Sequence, residues 1–470
     1  MSIFYYSIFI SIYFLSTRKF KIQAYFFLIA LFVFSLLVYF PGVHQDDTNA
    51  LYQYFVTNEY SDWQPPIYTI WWHIFHVRSA EFVINTIIYY SGIIYLSYML
   101  HQQQKRWQND LLIIFSFYPI YFTQLVICLK DVPYTGFLTL SICALILLQP
   151  KHTTLKRLML WLLFSLSIFF AVGFRYNAIF AILPMLFYVG CLFTNKCSTT
   201  YGITLNKILK YCCAAIFAIA ITFLLTAIHS FITFDIFHAK HSHSPIIVMY
   251  NDLANIECAS GDVIIPDTSF IAPDRRNIMC NQFFINYYNY EPLYTDNWSG
   301  MQNPAIFIYN DDLSDAYYNN VKSLWVHSII SYPEIYLTYR VKFFSNLVFS
   351  QWWWTPLEQG AKNNSLQTSL AKLAVEERKS FAIFNGLFLI LGTLFALIYV
   401  LIKRGNKFSI IIILSSVFQL AGLFMLQGVP AARYFLWDYL AIILSIALAC
   451  NKDNAIAVVN NLKPQKKGKK

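Results

Sequence analysis

Charge is what this sequence has least of. Only 12% of its 470 residues are Asp, Glu, Lys or Arg, against about 25% in soluble domains. That shortfall excludes an ordinary soluble fold, and the 57% hydrophobic content that replaces it places the chain among polytopic membrane proteins. No cleavable leader stands out, because Ile3 to Leu15 lacks a basic start and a small-residue cleavage site. The nine cysteines show no metal-ligand spacing. Cys128, Cys143, Cys191, Cys212 and Cys213 lie in or beside apolar runs, where Cys is mostly a small core residue. Nor is there a repeat of solenoid or propeller period. A net charge of +10 would suggest nucleic acid in a soluble protein. Here the basic residues fall in short loops and the tail, so they report topology instead.

What the sequence does have is long apolar runs. Stretches of about 17–25 residues predict ten spans, near 22–40, 81–100, 111–129, 132–149, 158–174, 178–194, 209–230, 381–402, 408–426 and 434–450. Ile3 to Leu15 is short for a crossing and reads as an interfacial helix or an eleventh span. Basic clusters mark every second loop: Arg18-Lys19-Lys21, Lys105-Arg106, Lys151 to Arg157, Lys196 to Lys210, Lys403 to Lys407, and the tail at Lys463 to Lys470. By the positive-inside rule these loops face the cytoplasm. The expected fold class is therefore an all-α polytopic membrane protein with about 10–11 transmembrane helices. It has a re-entrant or interfacial first outer loop and a mixed extracytoplasmic segment. The expected organisation is an N-terminal bundle over 1–230, an outer segment over 231–380, C-terminal spans over 381–450 and a basic cytoplasmic tail over 451–470.

The outer side then carries the polar residues. The loop 41–80 holds His44, Gln45, Asp46 and Asp47, then Asp62, Trp63, Gln64, Pro65 and Pro66, then Trp71, Trp72 and His73. Adjacent carboxylates repel, so Asp46-Asp47 suits a general base for an acceptor or a hold on a divalent cation such as Mg or Mn. The same Asp-Asp-Thr-Asn string also favours a helix N-cap. The two prolines fix the entry to an aromatic helix over Ile67 to Phe75, of the kind that lies in a membrane interface. Lys130-Asp131 and Arg175-Tyr176-Asn177 are charged turns with almost no loop around them. Charges at a bilayer edge are expensive and tend to be paired or functional. Lys130 and Arg175 could bind phosphate, one as a point charge and one as a fork, or Arg175 could simply anchor the bundle. Arg433-Tyr434 follows Pro430 at the outer end of the last span.

The long outer segment is polar from 237 to 320 and helical from Val321. Ser331 to Phe349 reads as an amphipathic helix carrying Arg340 and Lys342, with Trp352, Trp353 and Trp354 at its end for the interface. Cys258 and Cys280 both lie in this segment, where an oxidising compartment would let them pair. His241-x-His243 reads as plain surface sooner than as a metal pair, having no Cys or carboxylate ligand nearby in sequence. Asn297-Trp298-Ser299 matches a glycosylation sequon, a weak signal by itself.

In order, then, come an apolar span, an outer loop with an acidic pair, a polar-Pro-Pro turn before an aromatic helix, a Lys-Asp turn and an Arg-x-Asn turn. This series resembles the GT-C superfamily of integral-membrane glycosyltransferases, above all the branch of protein O-mannosyltransferases and the lipid A aminoarabinose transferase. Many relatives have His-Pro-Pro where this chain has Gln64-Pro65-Pro66. The resemblance implies a polyprenyl-phosphate-linked sugar donor and transfer outside the cytoplasmic (inner) membrane to a glycan, lipid or protein acceptor. It implies Asp46, Asp47 and Asp131 as catalytic or metal-holding acids, and Lys130, Arg175 and Arg433 as contacts to the donor phosphate. His44, Asp62, Gln64, Asn177 and Tyr434 would line the substrate. Alternatives are an envelope polysaccharide polymerase or ligase, and a transporter or flippase of lipid-linked sugars. A transporter would place charges near the bilayer midplane on broken helices, whereas this sequence places them at the outer edge.

Overall fold

The apolar runs fold as helices, and the polar punctuation between them supplies their ends. The structure is a computed structural model, and it describes residues 2–18, 22–148, 152–201, 206–265, 314–349, 365–403, 406–427 and 432–449. Among these the protein is all-helical, with two isolated backbone bridges and no strand. Among the described residues six helices are long and apolar enough to cross a membrane: Ala80–Gln102, Thr154–Phe174, Ala178–Asn195, Lys207–Ile236, Asn385–Ile402 and Lys407–Leu426. Two further apolar helices, Tyr25–Tyr39 and Asp131–Leu147, are shorter. This is a membrane protein built of helices.

The N-terminal half comprises α1 (Ser2–Arg18), α2 (Tyr25–Tyr39), α3 (Asp46–Thr57), α4 (Ile70–Phe75), α5 (Ala80–Gln102), α6 (Arg106–Ser116), α7 (Pro119–Val126), α8 (Asp131–Leu147), α9 (Thr154–Phe174), α10 (Ala178–Tyr201) and α11 (Lys207–Phe231). The later helices are α12 (Ile246–Ser260), α13 (Asp315–Ser331), α14 (Pro333–Val348), α15 (Ser365–Ile402), α16 (Lys407–Leu426) and α17 (Leu436–Ala449). Side-chain caps start several of them: Thr153 accepts from the amide of Lys156, Asn206 from Leu209, Ser314 from Tyr317 and Asn406 from Phe408.

α8 is the centre of the bundle. Nearly every residue from Asp131 to Ile146 is buried, so it is hydrophobic all round, as a helix enclosed by others must be. It approaches α5 closely at Gly136, where a Cβ would come within 2.8 Å of the Tyr89 backbone. Small residues at helix crossings do this in membranes, where packing replaces the hydrophobic effect as the driving force. At the end of the bundle carrying Arg18, the Arg18 guanidinium lies 3.1 Å from Asp110, which also accepts from the Tyr13 hydroxyl at 2.6 Å.

Several elements differ from the sequence expectation. The run 111–129 is not one helix. It breaks at Phe117-Tyr118, because Pro119 cannot donate to the preceding turn and biases Tyr118 to an extended conformation (ψ 120). The helix expected from 381 begins at Ser365 and runs for 38 residues. The helix expected over Ser331 to Phe349 starts at Pro333, and Tyr332 separates it from α13. Its buried face is Tyr336, Tyr339, Arg340, Phe343 and Leu347, while Leu337 and Val341 are exposed. α11 passes the expected domain boundary at 230 and ends in a π turn, Ile232–Ile236. Ile67 to Phe75 is a 3-10 turn (Pro66–Thr69) followed by α4, and Trp71 and Trp72 point into the protein instead of outward. The tail, the sequon and Trp352 to Trp354 lie outside the described residues. So does Cys280; Cys258 is disulfide-bonded.

Candidate functional site

The chain reverses direction at Lys130-Asp131, at Arg175-Tyr176-Asn177 and before α17, and each reversal delivers a charge to the same place. Lys130 is the N-cap residue of α8 and Asp131 sits in its first turn, where the helix dipole favours an acid. Arg175 is the C-cap residue of α9, in an extended conformation that turns its side chain off the helix axis. Arg433 lies in a 3-10 turn, Ala432–Phe435, that leads into α17. Asp47 comes from the first turn of α3, and the N-cap residue there is Gln45. The acidic pair is therefore inside the helix and not its cap.

These residues pair across the bundle. Arg433 Nη2 donates to Asp47 Oδ2 at 2.9 Å. Arg175 Nη2 donates to Asp131 Oδ1, and Lys130 Nζ donates to Gln64 Oε1. The Tyr434 ring is shared by the two guanidinium groups, with Arg175 Cζ 4.4 Å and Arg433 Cζ 5.4 Å from its centroid. Arg175, Arg433, Asp131 and Gln64 are buried, and Lys130 is half-buried. Asp131 Oδ2 is buried with no hydrogen-bond partner among the described residues. Burial pushes the Asp47 carboxyl up, but Arg433 and Lys130 outweigh it and leave the group below the ordinary carboxylate range. Burial dominates at Lys130 and pushes it down to about 8; Arg175 and Arg433 add to this, and Asp47 opposes it. Burial works against the charge on Arg433 too, yet Asp47 holds it more firmly protonated than usual.

The sum of charges decides what the cluster can hold. Three cations, Lys130, Arg175 and Arg433, face two carboxylates, Asp47 and Asp131. A divalent cation held by Asp47 would sit against Arg433, so this arrangement does not fit Mg or Mn. It fits an anion with several oxygens, such as a phosphate. The side chain of Asp46 lies outside the described residues.

The other sequence candidates are placed elsewhere. Asp62 ties the loop down: its Oδ1 accepts from the Ser242 amide at 2.6 Å and from the Ser242 hydroxyl. Its carbonyl accepts from the Tyr176 hydroxyl at 3.2 Å. Asn177 sits in the turn opening α10, its carbonyl accepting from the Phe180 amide. His241 stacks on Phe234 and His243 on Tyr318, with His243 3.3 Å from Asp315. Arg340 is far from exposed: it pairs with Asp252 at 2.6 Å and donates to the Gln427 carbonyl at 2.9 Å. His44 lies beside Glu81 and Cys128. Sequence reasoning passed over Glu81 and Cys128, whose apolar flanks read as span interior. No family model, curated protein or solved structure matches the chain.

Proposed function

We propose that this protein is a GT-C-type glycosyltransferase. It moves a sugar from a polyprenyl-phosphate-linked donor to an envelope acceptor on the outer face of the cytoplasmic membrane. The observation that carries the reading is the Asp47–Arg433 pair flanked by Lys130 and by Arg175–Asp131. One carboxylate able to take a proton lies among three cations able to hold a phosphate. The orientation rests on the basic loops, and the full membrane topology on ten or eleven crossings, with α6 and α7 together making one of them.

In this reading the donor phosphate meets Lys130, Arg175 and Arg433. As Arg433 turns to the phosphate, Asp47 loses its partner and its proton affinity rises toward the ordinary carboxylate range. Asp47 then accepts the proton of the acceptor hydroxyl or amine. The freed oxygen or nitrogen attacks the anomeric carbon as its bond to the phosphate oxygen breaks. The electron pair leaves with polyprenyl phosphate, whose added charge the three cations stabilise. One displacement inverts the anomeric centre. Asp131 holds Arg175 in place, and Gln64 does the same for Lys130.

The break between α6 and α7 favours a second reading, a carrier of lipid-linked sugars, because discontinuous helices are common in transporters. Purified Asp47→Asn separates the two. It is expected to bind a polyprenyl-phosphate sugar and to lose transfer by about 10²–10⁴-fold. Normal turnover in both Asp46→Asn and Asp47→Asn would end the enzymatic reading, as would donor translocation in vesicles with no transfer by the wild type.

A further inference from the structure

Three segments bring a second set of groups together: the start of the first outer loop, the first turn of α5 and the connector from α7 to α8. His44, Glu81 and Cys128 each present one ligand atom, and these atoms all lie within 4.8 Å of one another. We infer that they bind a divalent transition ion of the zinc class, at a place separate from the Asp47–Arg433 pair.

The chemistry of the donor set points there. A thiolate and an imidazole select borderline-soft ions over Mg or Ca. Imidazole, thiolate and carboxylate around a doubly charged ion sum to zero net charge, which suits a buried place. A tetrahedral ion at about 2.0–2.3 Å from its ligands separates them by roughly 3.3–3.7 Å, so atoms within 4.8 Å of one another need to close by no more than about 1.5 Å.

The surroundings are arranged for ligands too. Glu81 Oε1 accepts from the Tyr68 hydroxyl at 2.5 Å, and Asn85 Nδ2 donates to that hydroxyl at 2.9 Å. Glu81 Oε2 is left buried with no hydrogen-bond partner among the described residues, and so is His44 Nε2. The His44 ring meanwhile lies against the backbone of Gly42 and Arg78, where outer support of the kind that orients a ligating imidazole is within reach. Cys128 is a free thiol, 2% exposed. Gly42 crosses directly over it at φ +103, where a Cβ would lie 2.6 Å from Sγ. Two buried polar atoms without hydrogen-bond partners among the described residues, Glu81 Oε2 and His44 Nε2, thus converge on a buried thiol.

The site also has something to hold. The Cys128 amide donates to the Val43 carbonyl at 2.8 Å, the Val43 amide donates to the Val126 carbonyl at 3.3 Å, and Thr48 Oγ1 donates to the Cys128 carbonyl. His44 is three residues before Asp47, and Cys128 is two before Lys130. An ion on His44, Cys128 and Glu81 would clamp the two segments that carry the acid and the lysine. Binding releases the thiol proton to solvent.

The test reads metal, so it is independent of glycosyl transfer. Full-length protein is purified in detergent and its metal content measured as isolated and after incubation with Zn²⁺. Co²⁺ is then used as a spectroscopic probe. About one equivalent is expected, with a thiolate-to-cobalt charge-transfer band in the wild type. Cys128→Ser and His44→Ala are expected to lose both, Tyr68→Phe to bind about 10–100-fold more weakly, and Asp47→Asn to bind normally. The inference is overturned if the wild type takes up no metal, if cobalt shows no thiolate band, or if Asp47→Asn alone abolishes uptake. Cys212→Ser, which removes the exposed free thiol, is expected to keep the band, and loss of the band there would also overturn the inference, so the assignment is tested even where Cys128→Ser fails to fold.

Discussion

At the residue scale, Lys130 sets the pH dependence. The free protein's groups govern kcat/KM, and burial has pushed Lys130 down to about 8. Phosphate stabilisation needs the ammonium, so kcat/KM is expected to fall as pH rises through about 8. Lys130→Arg keeps a charge at every such pH and should remove that falling limb in a pH–rate profile. Asp47 must be ionised, and its group lies below the ordinary carboxylate range, so no acidic limb is expected near neutrality. The candidate residues were legible one by one, because a charge isolated between apolar runs is conspicuous. Their partners were not. Asp131 and Lys130 are neighbours in sequence, yet Arg175 takes the acid and Gln64 takes the amine. Asp62 stood out equally and turns out to fasten one loop to Ser242.

At the element scale, a buried ion pair joins α12 to α14 and to the end of α16. Asp252 accepts from Arg340 at 2.6 Å and from Trp325 Nε1 at 2.7 Å, and Arg340 reaches the Gln427 carbonyl. Burial raises the Asp252 carboxyl to about 6 in spite of Arg340. The two halves of the pair therefore differ in how they tolerate loss of the other. Without Arg340, Asp252 can take up a proton; without Asp252, Arg340 stays charged and buried. Asp252→Asn is expected to cost about 3–5 kcal/mol, and Arg340→Met less. The cost of Arg340→Met should shrink as pH falls toward about 6, because the carboxyl freed of Arg340 takes up its proton above that pH, and should level off below it, where the wild-type carboxyl is protonated too. Thermal unfolding in detergent at two pH values measures both. The sequence showed α14 because its buried residues recur at helical spacing. The long start of α15 and the break before α7 were hidden, since run length alone marks the apolar part of a helix and overrides a single proline.

At the scale of the whole molecule, the basic loops and the charged turns fall at opposite ends of the helices, which is how the sequence could orient them. The orientation has its own check. Glu59→Cys lies on an exposed position of the first loop and Lys105→Cys on the opposite side. A membrane-impermeant maleimide should label the first in intact cells and the second only after lysis. What no local reading could supply is closure: Arg433 and Asp47 meet across 386 positions. That closure makes the empty protein its own competitor. In the proposed reaction Asp47 already occupies the guanidinium that the donor phosphate would use, so donor affinity is expected to be the intrinsic affinity weakened by an internal carboxylate. Asp47→Asn, though unable to transfer, should therefore hold the donor more tightly than the wild type, a difference that calorimetric titration with a polyprenyl-phosphate sugar would read directly. The same competition implies an order of events. A free base exists only once a phosphate has displaced it, so an acceptor, or water, arriving first finds nothing to activate it.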